Sequence, residues 1–168
     1  MGSSNPVFVL PRALAERGEA IAKGLAVSVT IGTGQFCTNP GLTVVEEGPA
    51  AAAFQQAAAR LLGEAPAGTM VHAGIKIAYD QGLQARTAVA GVSVAARAAG
   101  TPSAGGAQAP AALLVADAAT YAVAPVLREE LYGPATVLIR CRSREEVLAF
   151  ARGLEGHLTA TVHGTEAD

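Results

Sequence analysis

The sequence predicts an α/β fold with a mainly parallel sheet that carries helices on both faces. Short β-rich runs alternate along the chain with segments whose apolar side chains recur at helical spacing. Glycines and prolines separate these segments where one element gives way to the next. Because such alternation builds right-handed strand–helix–strand units, the strands are expected to run parallel in one sheet. The 168 residues suit a single domain, since domains usually contain roughly 100–150 residues.

The chain opens with a strand and a long helix. Residues 6–10 form a β-rich run, and residues 13–31 place apolar side chains on one helical face. Gly32 and Gly34 are expected to end this helix, because glycine adopts the left-handed conformation that closes a helix at little steric cost.

The same order then repeats. A buried strand is predicted over residues 42–46, followed by a helix over residues 49–63 that begins at a proline and ends at a glycine. A further helix is predicted over residues 71–86 with an interruption at Gly82, and a strand over residues 91–97.

The second half of the chain begins with a stretch that lacks periodicity. Residues 98–110 consist largely of Gly, Ala, Pro and Ser, which predicts an exposed loop and no domain boundary. Strands are predicted over residues 111–117 and 135–141. Between them we expect a short helix that begins at Pro125 and ends at Gly133.

The last helix has a well-defined start. Ser143 and Glu146 are expected to form a capping box, in which each side chain binds the backbone N–H of the other residue. The predicted buried face of this helix consists of Val147, Phe150, Ala151 and Leu154. Residues 158–163 supply a last strand that no helix follows, so the domain is interpreted as incomplete.

Composition excludes several classes of function. Charged residues make up 15% of the chain and the formal net charge is -2, so no polyelectrolyte surface is available for nucleic acid or anionic lipid. The apolar runs are broken well before the roughly 20 residues that a membrane span needs. We therefore expect no nucleic-acid partner and no membrane span.

The two cysteines, Cys37 and Cys141, lie far apart in the sequence and without metal-ligand spacing. We expect both to be reduced and the protein to be cytoplasmic, with no metal site. Cys37 is the candidate nucleophile, because it lies in a turn near strand ends, and open α/β sheets bind ligands at their carboxyl edge. It follows a helix C-terminus, however, which does not favour a thiolate. On composition alone, an inert buried cysteine is the commoner meaning of such a residue. Cys141 lies in an apolar strand and is interpreted as inert.

Other polar residues give no clear signal. The histidines are too scattered to indicate a metal site or a catalytic triad, and they are assigned no role: His72, His157 and His163. From the residues alone, Glu129 and Glu130 are compatible with a solvated helix end, and Tyr132 with packing.

Three short stretches together resemble the aldehyde dehydrogenase superfamily. They are GSSNP at residues 2–6, GQFC at residues 34–37 and ELYGP at residues 130–134. The family has, in the same order, a Glu-Leu-Gly-x-x-Asn-Pro stretch, a Gly-Gln-x-Cys motif and a Glu-x-Phe-Gly-Pro motif. Within the family, the sequence looks most like the bacterial 2,5-dioxovalerate (α-ketoglutaric semialdehyde) and NADP-linked fatty aldehyde dehydrogenases.

The resemblance implies a role for each motif. Cys37 would attack the aldehyde carbonyl, a hydride would leave for the nicotinamide of NAD or NADP, and water would release the acid from a thioester. The backbone N–H of Cys37 would bind the developing oxyanion. Glu130 would hold the nicotinamide ribose, and Tyr132, in place of the usual phenylalanine, would lie near the nicotinamide ring and add a hydroxyl. Asn5 would fix backbone at the interface and would take no part in the chemistry.

The sequence also departs from the family pattern. The family's general base is a glutamate directly before Leu-Gly, and Met1 stands at the leucine position here. The oxyanion asparagine and the dinucleotide-binding domain are likewise not found. Residues 1–168 are therefore interpreted as one catalytic domain, truncated at both ends, of an enzyme that acts on a small-molecule aldehyde as a homo-dimer or tetramer. The chain alone is expected to be inactive.

Two other functions stay open on the sequence. The chain could be a structural or interaction module that keeps the fold. It could also be a cofactor-independent thioesterase or acyltransferase that uses Cys37, which would require a base close to the thiol.

Overall fold

The computed structural model describes residues 3–99 and 106–168, and these form a six-stranded sheet with helices on both faces and a separate two-stranded ladder. The strands of the described residues are β1 Pro6–Val9, β2 Leu42–Glu46, β3 Gly68–Thr69, β4 Ser93–Arg97, β5 Gln108–Ala109, β6 Ala112–Asp117, β7 Ala135–Cys141 and β8 Thr161–His163. The α-helices are α1 Pro11–Thr30, α2 Pro49–Gly63, α3 Ala73–Thr87, α4 Ala118–Val123 and α5 Arg144–Arg152.

The large sheet has the strand order β4-β6-β7-β2-β1-β8. All neighbouring strands in it run parallel except β4, which is antiparallel to β6. Strands β3 and β5 form the small antiparallel ladder. The predicted α/β class with a mainly parallel sheet is confirmed.

Side chains of successive strand residues enter two separate cores, one on each face of the sheet. In β1, Val7 and Val9 join the core under α1 and α2, whereas Phe8 joins the opposite core. Residues of α3, α4 and α5 pack in that second core. This alternation follows from the two-residue period of a strand, so helices cover both faces, as expected. No helix of the described residues is long and apolar enough to cross a membrane.

The segment between α1 and β2 lies at the amino edge of the sheet. Strand β1 pairs with β2 in parallel, with Pro6 opposite Leu42, and the N–H of Leu42 donates to the carbonyl of Ser4 at 3.0 Å. Helix α1 therefore returns the chain from the carboxyl end of β1 to the start of β2. The expectation that Cys37 lies at the carboxyl edge is wrong, because a segment that directly precedes a parallel strand must lie at that strand's amino end.

Helix α3 is not interrupted at Gly82, in contrast to the expectation. A Cβ atom on Gly82 would lie 2.7 Å from Cδ1 of Leu131. The absence of a side chain at Gly82 thus allows Leu131 to approach α3 closely. The helical hydrogen bonds on either side of Gly82 keep the helix continuous.

The prediction of a short helix from Pro125 to Gly133 is also wrong. Only a 3-10 turn forms there, at Pro125–Leu127, and an unpredicted helix, α4, precedes it. The Asp117 carboxylate caps α4 by accepting a hydrogen bond from the N–H of Thr120 at 2.6 Å. Asp117 was the signal in the sequence that could have predicted this helix start.

The exposed loop expected over residues 98–110 lies partly outside the described residues, which omit 100–105. Its described ends contradict the expectation, because Ala98 and Ala109 are buried. The N–H of Ala98 donates to the carbonyl of Ala111 at 2.8 Å. Both ends of this stretch therefore belong to the packed structure.

Helix α5 begins as predicted, with one change in its cap. The Ser143 hydroxyl accepts a hydrogen bond from the N–H of Glu146 at 3.3 Å. The Glu146 carboxylate, however, accepts from the N–H of Arg142 and not from that of Ser143. Ala151, predicted to be buried, is exposed.

Candidate active site

A left-handed turn follows α1 and delivers the chain to Cys37. Gly32, Thr33 and Gly34 have φ angles of 56°, 58° and 64°. Thr33, the residue for which this conformation is costly, is held by its hydroxyl, which donates to the carbonyl of Thr69 at 3.2 Å. The glycine-based end of α1 is thus confirmed, and the turn directs the following residues along the amino edge.

Cys37 is an exposed free thiol in the next turn. Its sulfur makes no hydrogen bond with a described residue, and the backbone N–H groups of Phe36, Cys37 and Thr38 donate none to a described residue. Adjacent unpaired N–H groups beside a thiol are donors of the kind that stabilise the oxyanion of a carbonyl compound when its carbon is bonded to the sulfur.

Asn5 holds this turn in place from its position just before β1. Its Nδ2 donates to the carbonyls of Cys37 at 2.8 Å and Asn39 at 2.9 Å. Its Oδ1 accepts from the hydroxyl of Ser3 at 2.7 Å and from the N–H of Thr159 at 3.1 Å. The side-chain amide therefore uses all four of its hydrogen-bonding positions, and the first motif fixes the backbone of the second, as expected for Asn5.

The third motif packs directly on the second. A Cβ atom on Gly34 would lie 2.3 Å from the carbonyl carbon of Gly133. The Asn39 Nδ2 donates to the carbonyl of Gly133 at 3.2 Å, and the Tyr132 hydroxyl donates to the carbonyl of Gln35 at 2.8 Å. All three sequence motifs thus converge at the amino edge of the sheet, around Cys37.

Glu130 presents a free carboxylate beside this turn, and Tyr132 presents a partly exposed ring. Glu130 is half-buried, and its carboxylate makes no hydrogen bond or ion pair with a described residue. The side chains of Tyr132 and Phe36 are 39% and 47% exposed. The cavity that these three residues help to line has an interior volume of about 20 Å³, enough for roughly one water molecule. A larger ligand would therefore have to lie on the open surface and find its other walls elsewhere.

Neither the second thiol, Cys141, nor His157 makes a hydrogen bond to the Cys37 sulfur. Cys141 is fully buried, and burial, together with Glu146, Glu46 and Glu47, raises the pKa of its thiol to about 12. The Nδ1 of His157 accepts from the N–H of Ser4 at 3.2 Å, and its Nε2 is buried without a partner among the described residues.

Neither nitrogen of His157 therefore binds the Cys37 sulfur. The described residues also contain no group of three or more potential ligands that could hold a metal ion.

Two residues of the site were missed in the sequence. Asn39 carries no pattern signal beyond its position in GQFCTNPG, and its contact with Gly133 spans 94 positions. Arg86 lines the same cavity as Glu130 and is buried. Arg86 lies one turn after Gly82 and Leu83 on α3, and this position was the signal in the sequence that could have indicated its burial.

The two thiols are expected to differ strongly in reactivity. Only a thiolate is alkylated, and with a pKa of about 12 the Cys141 thiol is almost entirely protonated at neutral pH. Iodoacetamide at pH 7.5 should label Cys37 at least about 100-fold faster than Cys141, because Cys37 is exposed. Peptide mass spectrometry over a time course measures both rates, and equal slow rates would contradict the site as described.

The fold and site define an α/β domain that presents one exposed thiol, between glycine-flanked turns, at the amino edge of its sheet. The model of the aldehyde dehydrogenase family matches residues 1–168. The chain belongs to the aldehyde dehydrogenase family.

Two curated relatives are similar over almost the whole chain. The chain is 42% identical over 162 residues to alpha-ketoglutaric semialdehyde dehydrogenase 2 of Azospirillum brasilense, covering 96% of this chain and 30% of the relative. It is 34% identical to alpha-ketoglutaric semialdehyde dehydrogenase of Acinetobacter baylyi, covering 100% of this chain and 32% of the relative. The chain thus spans about a third of the length of these relatives.

Solved structures support the fold. A putative methylmalonate-semialdehyde dehydrogenase from Sinorhizobium meliloti, solved with NAD, superposes with a TM-score of 0.83 at 16% identity, over 99% of this chain and 35% of that one. A gamma-glutamyl-gamma-aminobutyraldehyde dehydrogenase from Burkholderia cenocepacia gives a TM-score of 0.81 at 20% identity, over 99% and 34%.

Proposed function

We propose that this chain is the thiol-bearing part of an aldehyde dehydrogenase that uses NAD or NADP to oxidise an aldehyde to the carboxylic acid. The observation that carries the proposal is the convergence of the three motifs around Cys37, an exposed thiol flanked by unpaired backbone N–H groups. The two relatives with 42% and 34% identity favour α-ketoglutaric semialdehyde as the aldehyde.

In this mechanism, the Cys37 sulfur forms a bond to the aldehyde carbon, and its proton leaves to solvent or to a base. The carbonyl oxygen becomes an oxyanion that the N–H of Cys37 stabilises. A bound dinucleotide would supply the hydride acceptor for the same carbon, and the Cys37 sulfur would hold the resulting acyl group as a thioester. Water then displaces the thiolate, so that aldehyde, water and oxidised dinucleotide give acid, reduced dinucleotide and a proton.

The residues around Cys37 fit a dinucleotide. The Glu130 carboxylate has its acceptor oxygens free among the described residues, which suits the two hydroxyls of a ribose. The partly exposed Tyr132 ring offers an apolar face for a nicotinamide, while its hydroxyl is engaged with Gln35. These two residues are the proposed cofactor-binding groups of this chain.

We further propose that the remaining walls of the site belong to a longer polypeptide. The cavity volume of about 20 Å³ is too small for a nicotinamide ring, and the chain spans about a third of its relatives' length. The dinucleotide-binding domain and the general base would lie in that polypeptide, which would form a homo-dimer or tetramer in the cytoplasm.

The test compares residues 1–168 alone with the complete product of the reading frame that encodes them, called here the full-length gene product. We expect the full-length gene product to form NADH or NADPH at 340 nm from α-ketoglutaric semialdehyde, and the 168 residues alone to form none. Turnover by the 168 residues alone would contradict the proposed division of the site. Absence of turnover by the full-length gene product with any aldehyde would overturn the proposed function.

A further inference from the structure

Helix α3 contacts the segment 129–133 at every second residue. The Arg86 guanidinium donates to the carbonyl of Glu129 at 2.7 Å. Gly82 leaves room for Leu131, whose Cδ1 would lie 2.7 Å from a Cβ at position 82. The ring of Tyr79 lies against Gly133, at 2.2 Å from where a Cβ on that glycine would stand.

The contacts lie along one face of α3. As the helix runs from Tyr79 to Arg86, its contacts move backwards along the segment, from Gly133 to Glu129. Their helix positions are three and four residues apart, which is the spacing of a single helical face. Their segment positions are two apart, and the two residues between them are half-buried or exposed. The residues between the contacts, Glu130 and Tyr132, are the two proposed cofactor-binding groups.

Arg86 is an unusual residue for such a contact. It is only 2% exposed, and its guanidinium makes no ion pair with a described carboxylate. Its described partners are two backbone carbonyls, those of Gly82 at 2.9 Å and Glu129 at 2.7 Å. Burial lowers the pKa of Arg86, and the charge of Glu129 opposes this effect. Burial of a charge without an ion pair costs free energy, and the two hydrogen bonds to carbonyls offset part of that cost.

From this geometry we infer that Arg86 is a positioning residue, which together with Gly82 holds segment 129–133 so that Glu130 and Tyr132 project toward the dinucleotide. Arg86 itself does not touch the reacting atoms. The inference rests on the proposed function, because it assigns Arg86 to dinucleotide binding and not to the chemistry at Cys37.

Replacement of Arg86 by methionine in the full-length gene product tests this role. Arg86→Met keeps much of the length of the side chain but removes both hydrogen bonds to carbonyls. We expect the Kd for NADH or NADPH, measured by fluorescence titration, and the KM for the oxidised dinucleotide to rise roughly tenfold or more. We expect kcat at saturating dinucleotide to change less than about threefold, since Cys37 is not moved.

A measurement without cofactor examines the segment itself. Hydrogen exchange of the backbone amides in residues 129–133 should be roughly tenfold faster in Arg86→Met than in the unchanged protein. Arg86→Lys retains the charge but has no planar fork to bind two carbonyls, so its Kd should lie between the two. Arg152→Met, on the exposed surface of α5, removes the same charge and should change neither quantity.

The outcomes separate this inference from the proposed function. An unchanged Kd in Arg86→Met would overturn the inference, whether or not the variant is less stable. If Arg86→Met does not fold, Arg86→Lys and Gly82→Ala decide, and an unchanged Kd in both would likewise overturn it. If the unchanged protein binds no dinucleotide, the proposed function fails, and with it the assignment of Arg86 to dinucleotide binding. Hydrogen exchange would still report whether Arg86 holds the segment.

Discussion

Replacement of Cys37 by alanine should lower aldehyde turnover by the full-length gene product about 1,000-fold or more, because the variant has no atom that can form the covalent bond to the substrate. A loss of this size corresponds to about 4 kcal/mol of transition-state stabilisation. The expected loss is in kcat, since the residues proposed to bind the dinucleotide, Glu130 and Tyr132, are unchanged. Steady-state kinetics at 340 nm measures it.

Two controls define the Cys37 result. Cys37→Ala should bind NADH or NADPH with the Kd of the unchanged protein, which shows that the site is intact. Cys141→Ala removes the other thiol, from the buried strand β7, and should keep kcat within about threefold because that thiol is remote from solvent. If Cys37→Ala retained more than a tenth of the activity, the sulfur would not be the nucleophile.

Replacement of Gly34 by alanine should lower the free energy of unfolding more than replacement of either cysteine by alanine. With φ at 64°, an L side chain at this position is strained by about 1–3 kcal/mol. Its Cβ would also lie 2.3 Å from the backbone carbon and oxygen of Gly133, and overpacking of this kind adds about 1–3 kcal/mol. We expect the free energy of unfolding to fall by about 3 kcal/mol or more in urea denaturation, and activity to fall because the second and third motifs are forced apart.

Gly24→Ala is the matched control for Gly34→Ala. Gly24 lies in α1 with an ordinary helical backbone. Apart from its chain neighbours and the adjoining helix backbone, no described atom lies within 4 Å of the place that an added methyl group would take. The same addition of one methyl group should stabilise the helix by up to about 1 kcal/mol. If Gly34→Ala did not lower the free energy of unfolding relative to Gly24→Ala, the close packing of the two motifs would be contradicted.

The sequence predicted most of the fold because its signals are local. The period of the apolar residues in α1 and α2, the turn at Gly32 and Gly34 and the helix start at Pro49 depend only on neighbouring residues. These predictions are confirmed. The edge of the sheet at which Cys37 lies was assigned wrongly. A turn that joins a helix to the following parallel strand lies at the amino edge, and proximity to strand ends does not distinguish the two edges.

The support of the site could not be predicted from local pattern. A glycine within a helical stretch indicates an interruption of the helix. Gly82 instead leaves space for the side chain of Leu131, a residue that is distant in the sequence. An arginine near the end of a helix indicates a solvated side chain, but Arg86 is buried by segment 129–133. The free carboxylate of Glu130 and the hydrogen bond from Tyr132 to Gln35 likewise depend on tertiary packing.

The most direct test of the central claim follows alkylation of Cys37 and enzyme activity in the same sample. Iodoacetamide is added to the full-length gene product in steps, the fraction of alkylated Cys37 is measured by peptide mass spectrometry, and the remaining turnover at 340 nm is measured in parallel. If the Cys37 sulfur forms the covalent bond to the aldehyde, the remaining activity should equal the unmodified fraction of Cys37 and reach zero at complete alkylation. Complete alkylation of Cys37 with most of the activity retained would contradict the claim.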